Sequence, residues 1–383
     1  MEKLWNVGFV YLLCLNALSS AAFHMAAPVV SLYVVSLGGS LTLGGTVVGV
    51  FALTALVVRP FSGALSDRMN KKHLIVVSTA LGAVFAICYS LGSSIPVLIV
   101  ARILHGAAFA ISSTTIIAFA STFIPMSRMG EGVGFLGIGL IIAITIGPMI
   151  GLMVAESFDF LAVFTLSSIV TALSAIFMAL IRYKNVKTDN RKREFKFQLS
   201  DFIELKLVPF AVISMLFASA NGFIQSFIAL LGDERKIAEV GIYFLVSSAT
   251  LVVIRPLSGR LNDRKGLPPV LIPALVLSAI AMTMLANAGS LWIIVLAAII
   301  HATGHGSGQP ALQAEGIRRL PDKRGVATST FFVGLDAGQG LGPIVGGAVL
   351  SAYGFSTVFY GIAAVLILGM LGFVVLFRQP KGA

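Results

Sequence analysis

The N-terminal part of the chain carries no Asp, Glu, Lys or Arg for 55 residues, from Leu4 to Val58. One helix needs about 20 apolar residues to cross a bilayer, so this stretch is long enough for two membrane-spanning helices. The Gly38-Gly39-Ser40 sequence offers a turn between them. Only 11% of all residues are charged, against roughly 25% in soluble domains. The sequence therefore predicts a helical membrane protein.

Similar apolar segments follow along the rest of the chain and predict an all-α membrane protein with twelve transmembrane helices. Its halves would be two pseudo-symmetric six-helix bundles, over residues 1–182 and 207–383, joined by a cytoplasmic linker over 183–206. The linker contains an apolar stripe that favours a short amphipathic helix at the lipid headgroups. The predicted spans are 6–36, 42–66, 73–92, 95–122, 129–156, 160–182, 208–232, 238–261, 268–287, 290–317, 325–352 and 356–377.

The basic residues are distributed unevenly between the two faces of this topology. The chain has 27 Lys and Arg and a formal net charge of +11. On the twelve-span topology, 22 of the 27 lie on one face. By the positive-inside rule that face is cytoplasmic, with both termini, and the protein belongs in the cytoplasmic (inner) membrane of the cell. The charge then reflects topology and contact with anionic membrane lipids, and no nucleic-acid partner is expected.

A ten-residue block occurs twice, at residues 59–68 and 255–264, with seven identical positions and an offset of 196. Each copy ends an apolar run where charged residues resume. At the same offset, Pro125 and Arg128 match Pro321 and Arg324. The repeat predicts two homologous halves, each with a charged segment at one membrane face.

The fifth and eleventh helices also correspond, and each has small residues at steps of four. Such a face allows the backbones of two helices to approach closely. A proline within each of these helices removes a backbone donor and is expected to bend the helix. The residues predicted to bend the helices are Gly147, Pro148 and Gly151 in the fifth, and Gly342, Pro343 and Gly346 in the eleventh.

These motifs resemble those of the major facilitator superfamily, over essentially the whole chain. The block at 59–68 with Lys71-Lys72 resembles the family's motif between helices 2 and 3, with Asn70 where glycine is usual. Residues 147–151 resemble the fifth-helix signature of antiporters, and residues 102–106 the arginine motif of proton-coupled drug exporters. The resemblance implies the twelve-helix drug:proton antiporter-like efflux group and transport by alternating access.

Asp67 and Asp263 lie at the C-terminal ends of helices 2 and 8, where the helix dipole disfavours a carboxylate. Each therefore needs a positive partner, which can be a basic residue of a nearby cytoplasmic loop or a helix N-terminus. The resemblance to the family implies the N-terminus of helix 11 for Asp67 and that of helix 5 for Asp263. We interpret the two carboxylates as parts of a conformational latch; alternatively, they are solvated charges that only set topology. The predicted latch residues are Gly63, Asp67, Arg68, Arg128, Gly259, Asp263, Arg264 and Arg324. Arg59 and Arg255 are expected to extend toward the cytoplasmic headgroups.

Asp336 lies twelve residues after Arg324, roughly 18 Å into helix 11 and so close to the middle of the membrane. A carboxylate at that depth is costly enough to indicate a function, here proton coupling or substrate binding, although a structural hydrogen bond is the alternative. Arg102, in the outer half of helix 4, is the second proton-coupling candidate. Its alternatives are an anchor for an anionic group or a static packing bond.

Four histidines lie within predicted helices 1, 4 and 10, which line the central cavity in the family that the chain resembles. They are proton-coupling and cavity candidates, and their alternative is ordinary packing: His24, His105, His301 and His305. The full set of cavity candidates adds polar groups on the same or neighbouring helices: Asn16, Arg102, Asn221, Gln225, Gln309, Gln313 and Asp336. No carboxylate or thiolate joins the histidines in the sequence, so no metal site is expected.

The predicted function is secondary active transport, namely proton-coupled efflux (antiport) of small organic molecules. The alternative is a proton-coupled importer of a sugar, an organic acid or another metabolite. The sequence shows no nucleophile–base pair for an enzyme and no nucleotide-binding loop, so we expect no catalysis, no cofactor and energy from the proton gradient. A cavity with Arg102 and histidines against one aspartate favours zwitterionic or anionic substrates. Protons, a small-molecule substrate and lipids are the expected partners of a monomer.

Overall fold

A computed structural model describes residues 4–39, 41–91, 94–181 and 202–377. The described residues are almost entirely helical and contain no strand. Each long helix is apolar and of membrane-spanning length. The first ten long helices are α1 Val7–Ser36, α2 Leu41–Arg68, α3 Lys71–Leu91, α4 Ile95–Ala120, α5 Met129–Ser157, α6 Phe160–Leu180, α7 Val208–Glu234, α8 Ile242–Lys265, α9 Pro268–Ala286 and α10 Leu291–Arg319.

The last helical segment, Arg324–Phe377, is 54 residues long and is interrupted at Gly354. At 1.5 Å per residue it would measure about 81 Å, well over twice the hydrocarbon core of a bilayer. Gly354 has φ +77°, a left-handed backbone conformation that glycine adopts without steric penalty. We therefore describe two helices, α11 over 324–353 and α12 over 355–377. The described part of the chain then has the twelve long helices that the sequence predicted.

The observed helix ends agree with the predicted spans to within a few residues, and the two ends of α8 differ most, by four residues each. The sequence predicts a start at 238, whereas α8 begins at Ile242. Lys236 and Glu239 have positive φ values, of 54° and 57°, so the chain cannot be helical at those points. Ile237 instead donates its backbone N–H to the carbonyl of Gly232, which closes the turn after α7.

The described residues form two compact units. The first consists of Met1–Pro125, Phe135–Leu205 and Leu320–Phe332, and the second of Met126–Gly134, Lys206–Arg319 and Val333–Ala383. The start of α5 thus groups with the second unit, and the start of α11 groups with the first. Most of the predicted linker, and the amphipathic helix proposed for it, lies outside the described residues.

The small-residue faces of α5 and α11 each lie against another helix of the same unit. In the first unit, a methyl group added at Gly147 would come within 3.1 Å of the carbonyl oxygen of Ala21 in α1. In the second unit, one added at Gly342 would lie 2.6 Å from the Cα of Ser219 in α7. The predicted close backbone approach is therefore present at both helices. Pro148 lies inside α5 and Pro343 inside α11.

Many large apolar side chains are exposed on the outer surfaces of the helices, including Val57, Ile344 and Leu368. A water-soluble protein rarely exposes apolar surface on this scale, whereas lipid tails cover it in a membrane. With helices long and apolar enough to cross a bilayer throughout the described residues, the chain is a multi-pass membrane protein.

Candidate functional site

The carboxylate of Asp67 lies at the N-terminus of α11. Its oxygens accept hydrogen bonds from the backbone N–H groups of Gly325 (2.7 Å) and Val326 (2.8 Å). Lys71 Nζ lies 3.7 Å from the same carboxylate. The first N–H groups of a helix have no partner within the helix and form the positive end of its dipole, so they stabilise an anion. Asp67 therefore contacts the helix end that the family resemblance implied.

The second copy of the repeat forms the same arrangement in the second unit. The oxygens of Asp263 accept hydrogen bonds from the backbone N–H groups of Gly130 (2.6 Å) and Glu131 (2.8 Å) at the start of α5. The guanidinium of Arg318, at the end of α10, forms an ion pair with the same carboxylate. Each repeat carboxylate thus binds the first turn of a helix from the other half of the sequence.

Glu131 adds an ion-pair network to the second arrangement that sequence reasoning did not identify. Its side chain is 2% exposed. Arg128 donates two hydrogen bonds to one of its oxygens, at 2.8 and 2.6 Å, and Arg260 donates one to the other, at 2.7 Å. The repeat places apolar Val326 at the position equivalent to Glu131, at the offset of 195 that relates α5 to α11. That mismatch between the halves is the signal that could have identified it.

Two glycines of the repeat allow these helix ends to approach. A Cβ added at Gly63 would lie 2.7 Å from the carbonyl oxygen of Gly325, and one added at Gly259 would lie 2.8 Å from the Cα of Glu131. Any larger residue at either position would push the helices apart. Both glycines therefore serve the same local contact as the aspartates.

The remaining arginines of the predicted latch differ in their hydrogen bonds and in their burial. Arg324 donates hydrogen bonds to the backbone carbonyl of Ser121 and, at 3.1 Å, to that of Pro321. Arg68 is half-buried, and Arg264 is exposed. The structure thus contains the contacts of Asp67, Asp263 and Arg324 with helix ends and loop carbonyls. The function of the whole set as a latch stays a prediction.

The expectation that Arg59 extends to the headgroups is wrong. Its side chain is 4% exposed. Its Nη1 donates to Ser113 Oγ at 2.6 Å and to Thr114 Oγ1 at 3.1 Å, both in α4. Hydroxyl groups within reach on the neighbouring helix provide the hydrogen bonds that snorkelling would otherwise have to find in the headgroups. Arg255 is buried as well.

Arg102 lies inside the first unit, 1% exposed, with its guanidinium against α2. Its Nε donates to the carbonyl of Val47 at 3.3 Å and its Nη2 to that of Val48 at 3.2 Å. The guanidinium carbon lies 4.7 Å from the centre of the Phe51 ring, a cation–π distance. No carboxylate forms an ion pair with Arg102 in the described ranges. Arg102 thus makes the packing contacts that were one of its alternatives, and its proposed part in proton transfer stays a prediction.

His105 forms a hydrogen bond to Tyr89, a residue that sequence reasoning did not select. The Tyr89 hydroxyl lies 2.7 Å from His105 Nδ1, and both side chains are buried. The guanidinium carbon of Arg102 lies 5.8 Å from the centre of the Tyr89 ring. Arg102, Tyr89 and His105 therefore lie together in the interior of the first unit.

A small cavity of about 20 Å³ lies beside His105 in the first unit. Hydroxyl groups from α1 and α3 line it, and Ser19 Oγ and Thr79 Oγ1 are buried without a hydrogen-bond partner among the described residues. A cavity of this size holds about one water molecule when it offers polar partners. The ring of His105 also faces Gly82, where an added Cβ would lie 3.8 Å from Nε2. The cavity therefore offers a water molecule polar partners beside the imidazole of His105.

The other two candidates of the first unit are bound to backbone carbonyls. His24 Nδ1 lies 2.8 Å from the carbonyl of Ser20, one turn earlier in α1. Asn16 Nδ2 donates to the carbonyl of Leu136 at 3.2 Å. His24 is half-buried, and Asn16 is buried. Their geometry fits helix packing, and a role in transport stays a prediction for both.

In the second unit, the polar candidates of α10 form a buried row. The rings of His301 and His305 are stacked, with centres 5.6 Å apart and planes at 20°. Gln309 Nε2 donates to the carbonyl of Ser214 in α7 at 3.4 Å. Both ring nitrogens of His301 and Nε2 of Gln313 are buried without a hydrogen-bond partner in the described structure. Spacing of four residues places all four side chains along one face of the helix.

The last candidates of the second unit lie in α7 and α11. Gln225 is exposed and accepts a hydrogen bond from Gln339 Nε2 at 3.3 Å. Asn221 and Asp336 are half-buried. The structure therefore gathers Arg102 and His105 in the first unit and the α10 row in the second.

Ionisable and polar side chains buried between apolar membrane-spanning helices are rare, and they are typical of membrane transport proteins. The chain belongs to the Major Facilitator Superfamily, whose family profile matches residues 12–237 and, in a second match, residues 210–383. The protein is a transporter of this family.

Relatives cover nearly the whole chain. The multidrug resistance protein MdtG of Serratia proteamaculans is 27% identical over 371 residues, which are 91% of this chain and 89% of that protein. MdtG of Proteus mirabilis is 27% identical over 383 residues, 95% of this chain and 94% of that protein. An uncharacterized transporter of the family from Methanocaldococcus jannaschii is 22% identical over 382 residues, 96% and 97% of the two chains.

Solved structures of the same fold have low sequence identity to this chain. The human organic anion transporter MFSD10 (TETRAN) has a TM-score of 0.82 at 14% identity, covering 95% of this chain and 98% of that one. FucP in its outward conformation has a TM-score of 0.81 at 15% identity, covering 99% and 100%. At these identities the likeness establishes the fold and leaves the substrate open.

Proposed function

We propose that the protein is a proton-driven exporter of small organic molecules that works by alternating access. The observation that carries the proposal is the repeated contact of Asp67 and Asp263 with helix N-termini from the other half of the sequence. A carboxylate bound to two helix N–H groups holds one arrangement of the helices, and its release permits another. Two such contacts, related by the repeat, provide the bistable element that alternating access requires.

The direction of transport is supported by two further observations. Relatives that match over nine-tenths of the chain include proteins named for multidrug resistance. The fifth-helix segment 147–151 packs its small residues against α1, as expected for the antiporter-like signature. We therefore favour export over import of a sugar, an organic acid or another metabolite.

For proton coupling we propose Asp336 as the titrating group, assisted by Arg102 and one or more of the buried histidines. The substrate and the proton would occupy the transport site at different times, so that proton entry from outside drives substrate release. Arg102 and the histidines favour a zwitterionic or anionic substrate. We place the protein in the cytoplasmic membrane as a monomer with both termini inside, powered by the proton gradient without a cofactor.

The test uses purified protein in liposomes loaded with fluorescent anionic, zwitterionic or cationic compounds. The vesicle interior corresponds to the cytoplasm in this assay. An imposed inward proton gradient should drive at least one compound out of the vesicles against its own concentration gradient. If the gradient drives uptake into that compartment instead, the importer is the correct function. If it drives neither, the proton-coupled mechanism is wrong.

Asp336→Asn separates coupling from binding. This variant should lose gradient-driven transport by at least about tenfold and keep substrate counterflow, because the amide cannot release a proton. Equal loss of both activities in a folded protein would assign Asp336 to substrate binding or structure.

A further inference from the structure

The repeat provides an internal comparison between Arg59 and Arg255, which occupy the same position in the two copies of the block. Arg59 is fully engaged by its own unit. Besides its bonds to Ser113 and Thr114, its Nη1 lies 3.4 Å from the carbonyl of Ala110, and its guanidinium carbon is 4.4 Å from the centre of the Phe332 ring. The first half thus shows how this fold satisfies an arginine at that position.

Arg255 lacks these partners because the equivalent positions of α10 have changed. At the offset of 196, Gln309 stands in place of Ser113 and Pro310 in place of Thr114, so neither hydroxyl is present. Arg255 is 8% exposed, and its Nε is buried without a hydrogen-bond partner in the described structure. No carboxylate forms an ion pair with it in the described ranges. A buried cation without a counterion is strongly unfavourable.

The same change of sequence places an imidazole at the position whose ring lies near the arginine in the first half. His305 stands where the first half has Phe109, and the Phe109 ring centre lies 5.7 Å from the guanidinium carbon of Arg59. His301 stacks on His305, is 2% exposed, and has no hydrogen-bond partner for either ring nitrogen in the described residues. We call Arg255, His301, His305 and Gln309 the α8/α10 basic cluster.

The chemistry of the cluster selects an anion. Arg255 offers guanidinium N–H groups, each neutral imidazole offers one N–H, and Gln309 offers an amide N–H. The positive charge of Arg255 opposes a metal cation at the histidines, although their spacing of four residues would otherwise permit one. A carboxylate, with two oxygens that accept several hydrogen bonds, would supply both the missing counterion and the missing acceptors.

We infer that the α8/α10 basic cluster binds the carboxylate of the transported substrate, which makes the substrate an organic anion or zwitterion. The inference rests on the proposed function in that it assigns the bound anion as cargo. It also explains why the cluster occurs in one half only. In the first half, hydroxyl groups of α4 bind Arg59, and Phe109 stands in place of His305. The described residues of that half therefore leave no unpaired hydrogen-bonding group for an anion at the equivalent position.

The binding test compares benzoate with benzamide, a neutral molecule of nearly the same shape, by thermal stability of the purified protein at pH 7.5. Benzoate should stabilise the wild-type protein in a concentration-dependent way, and benzamide should not. Arg255→Gln should weaken the apparent affinity for benzoate at least about tenfold, since it removes a charge-assisted hydrogen bond. Arg59→Gln is the matched control: it removes the equivalent arginine and should leave the benzoate affinity unchanged.

His305→Phe provides a second route if Arg255→Gln does not yield folded protein. This variant restores the residue of the first half and should weaken benzoate binding several-fold while preserving the fold. The inference is overturned if benzoate and benzamide act alike on the wild type, or if every folded cluster variant binds benzoate as the wild type does. Gradient-driven export by the wild-type protein is measured separately, so that a failed binding test and a failed transport mechanism are distinguishable.

Discussion

Replacing Asp67 by Asn tests the latch at its simplest point. The amide has the size of the carboxylate but only one oxygen, so it can accept from Gly325 or from Val326 but not from both. One buried N–H then loses its acceptor, and the α11 N-terminus loses a negative charge. We expect the Asp67→Asn variant to spend more time with this contact open.

The size of the effect follows from the two contacts. Leaving one N–H unsatisfied costs about 1–3 kcal/mol. Losing a charge near a helix N-terminus costs about 0.3–1 kcal/mol, and Lys71, at 3.7 Å, loses its partner as well. A total of about 2 kcal/mol raises the population of the open form by about 30-fold.

Alkylation of a cysteine at position 329 measures this population. Ser329 is fully buried in the same contact, and its side chain lies against Gly63. In a background with Cys14 and Cys88 replaced by alanine, Ser329→Cys should react with a membrane-impermeant maleimide only when the contact opens. Where opening is fast relative to labelling, the rate is proportional to the open population.

The control is Asp159→Asn at the start of α6. Asp159 also caps a helix, accepting from the backbone N–H of Ala162 at 2.6 Å, but it lies in an exposed turn away from the repeat. Asn is an equally good N-cap, so this variant should label like the wild type. An increase of less than about threefold in Asp67→Asn, or an equal increase in the control, would refute the latch.

Three further changes have outcomes that thermal unfolding in detergent can measure. Tyr89→Phe should lower the free energy of unfolding by about 1–3 kcal/mol because it leaves buried His105 Nδ1 without its hydrogen-bond partner, and an unchanged stability would contradict a contribution of this hydrogen bond. Arg235→Ala should destabilise by a similar amount, because Arg235 donates to three carbonyls at the end of α9, at 2.8–3.0 Å. Gly139→Leu should abolish stable folding through overpacking against α1, whereas Gly361→Leu, with nothing within 4 Å, should be tolerated.

The sequence predicted the helices because the signals for them are local. Twenty or more apolar residues between short polar turns define a span without knowledge of its neighbours. The resemblance to the family then implied which helix ends should meet, and Asp67 does contact the N-terminus of α11. The environment of Arg59 could not be predicted in this way, because the hydroxyl groups that bind it belong to α4, more than 50 residues further along the chain.

The same reason explains the residues that sequence reasoning missed. Tyr89 is one of seven tyrosines and has no motif around it. Its importance comes from the distance of 2.7 Å to His105 on the next helix. Glu131 resembles an ordinary first-turn acid until Arg260, 129 residues away, is seen to bind it.

By itself, the sequence determined that this chain is a helical membrane protein in which a charged segment occurs twice, each time at the end of an apolar run. Apolar length and an exact offset suffice for those conclusions, since each depends on residues close together or on identity between copies. Only the tertiary structure decided that Arg59 binds hydroxyl groups of α4 while Nε of Arg255 has no hydrogen-bond partner among the described residues. Equivalent residues acquire different partners when their neighbouring helices differ, and hydrogen bonds are decided by distances of a few ångströms that a sequence does not contain.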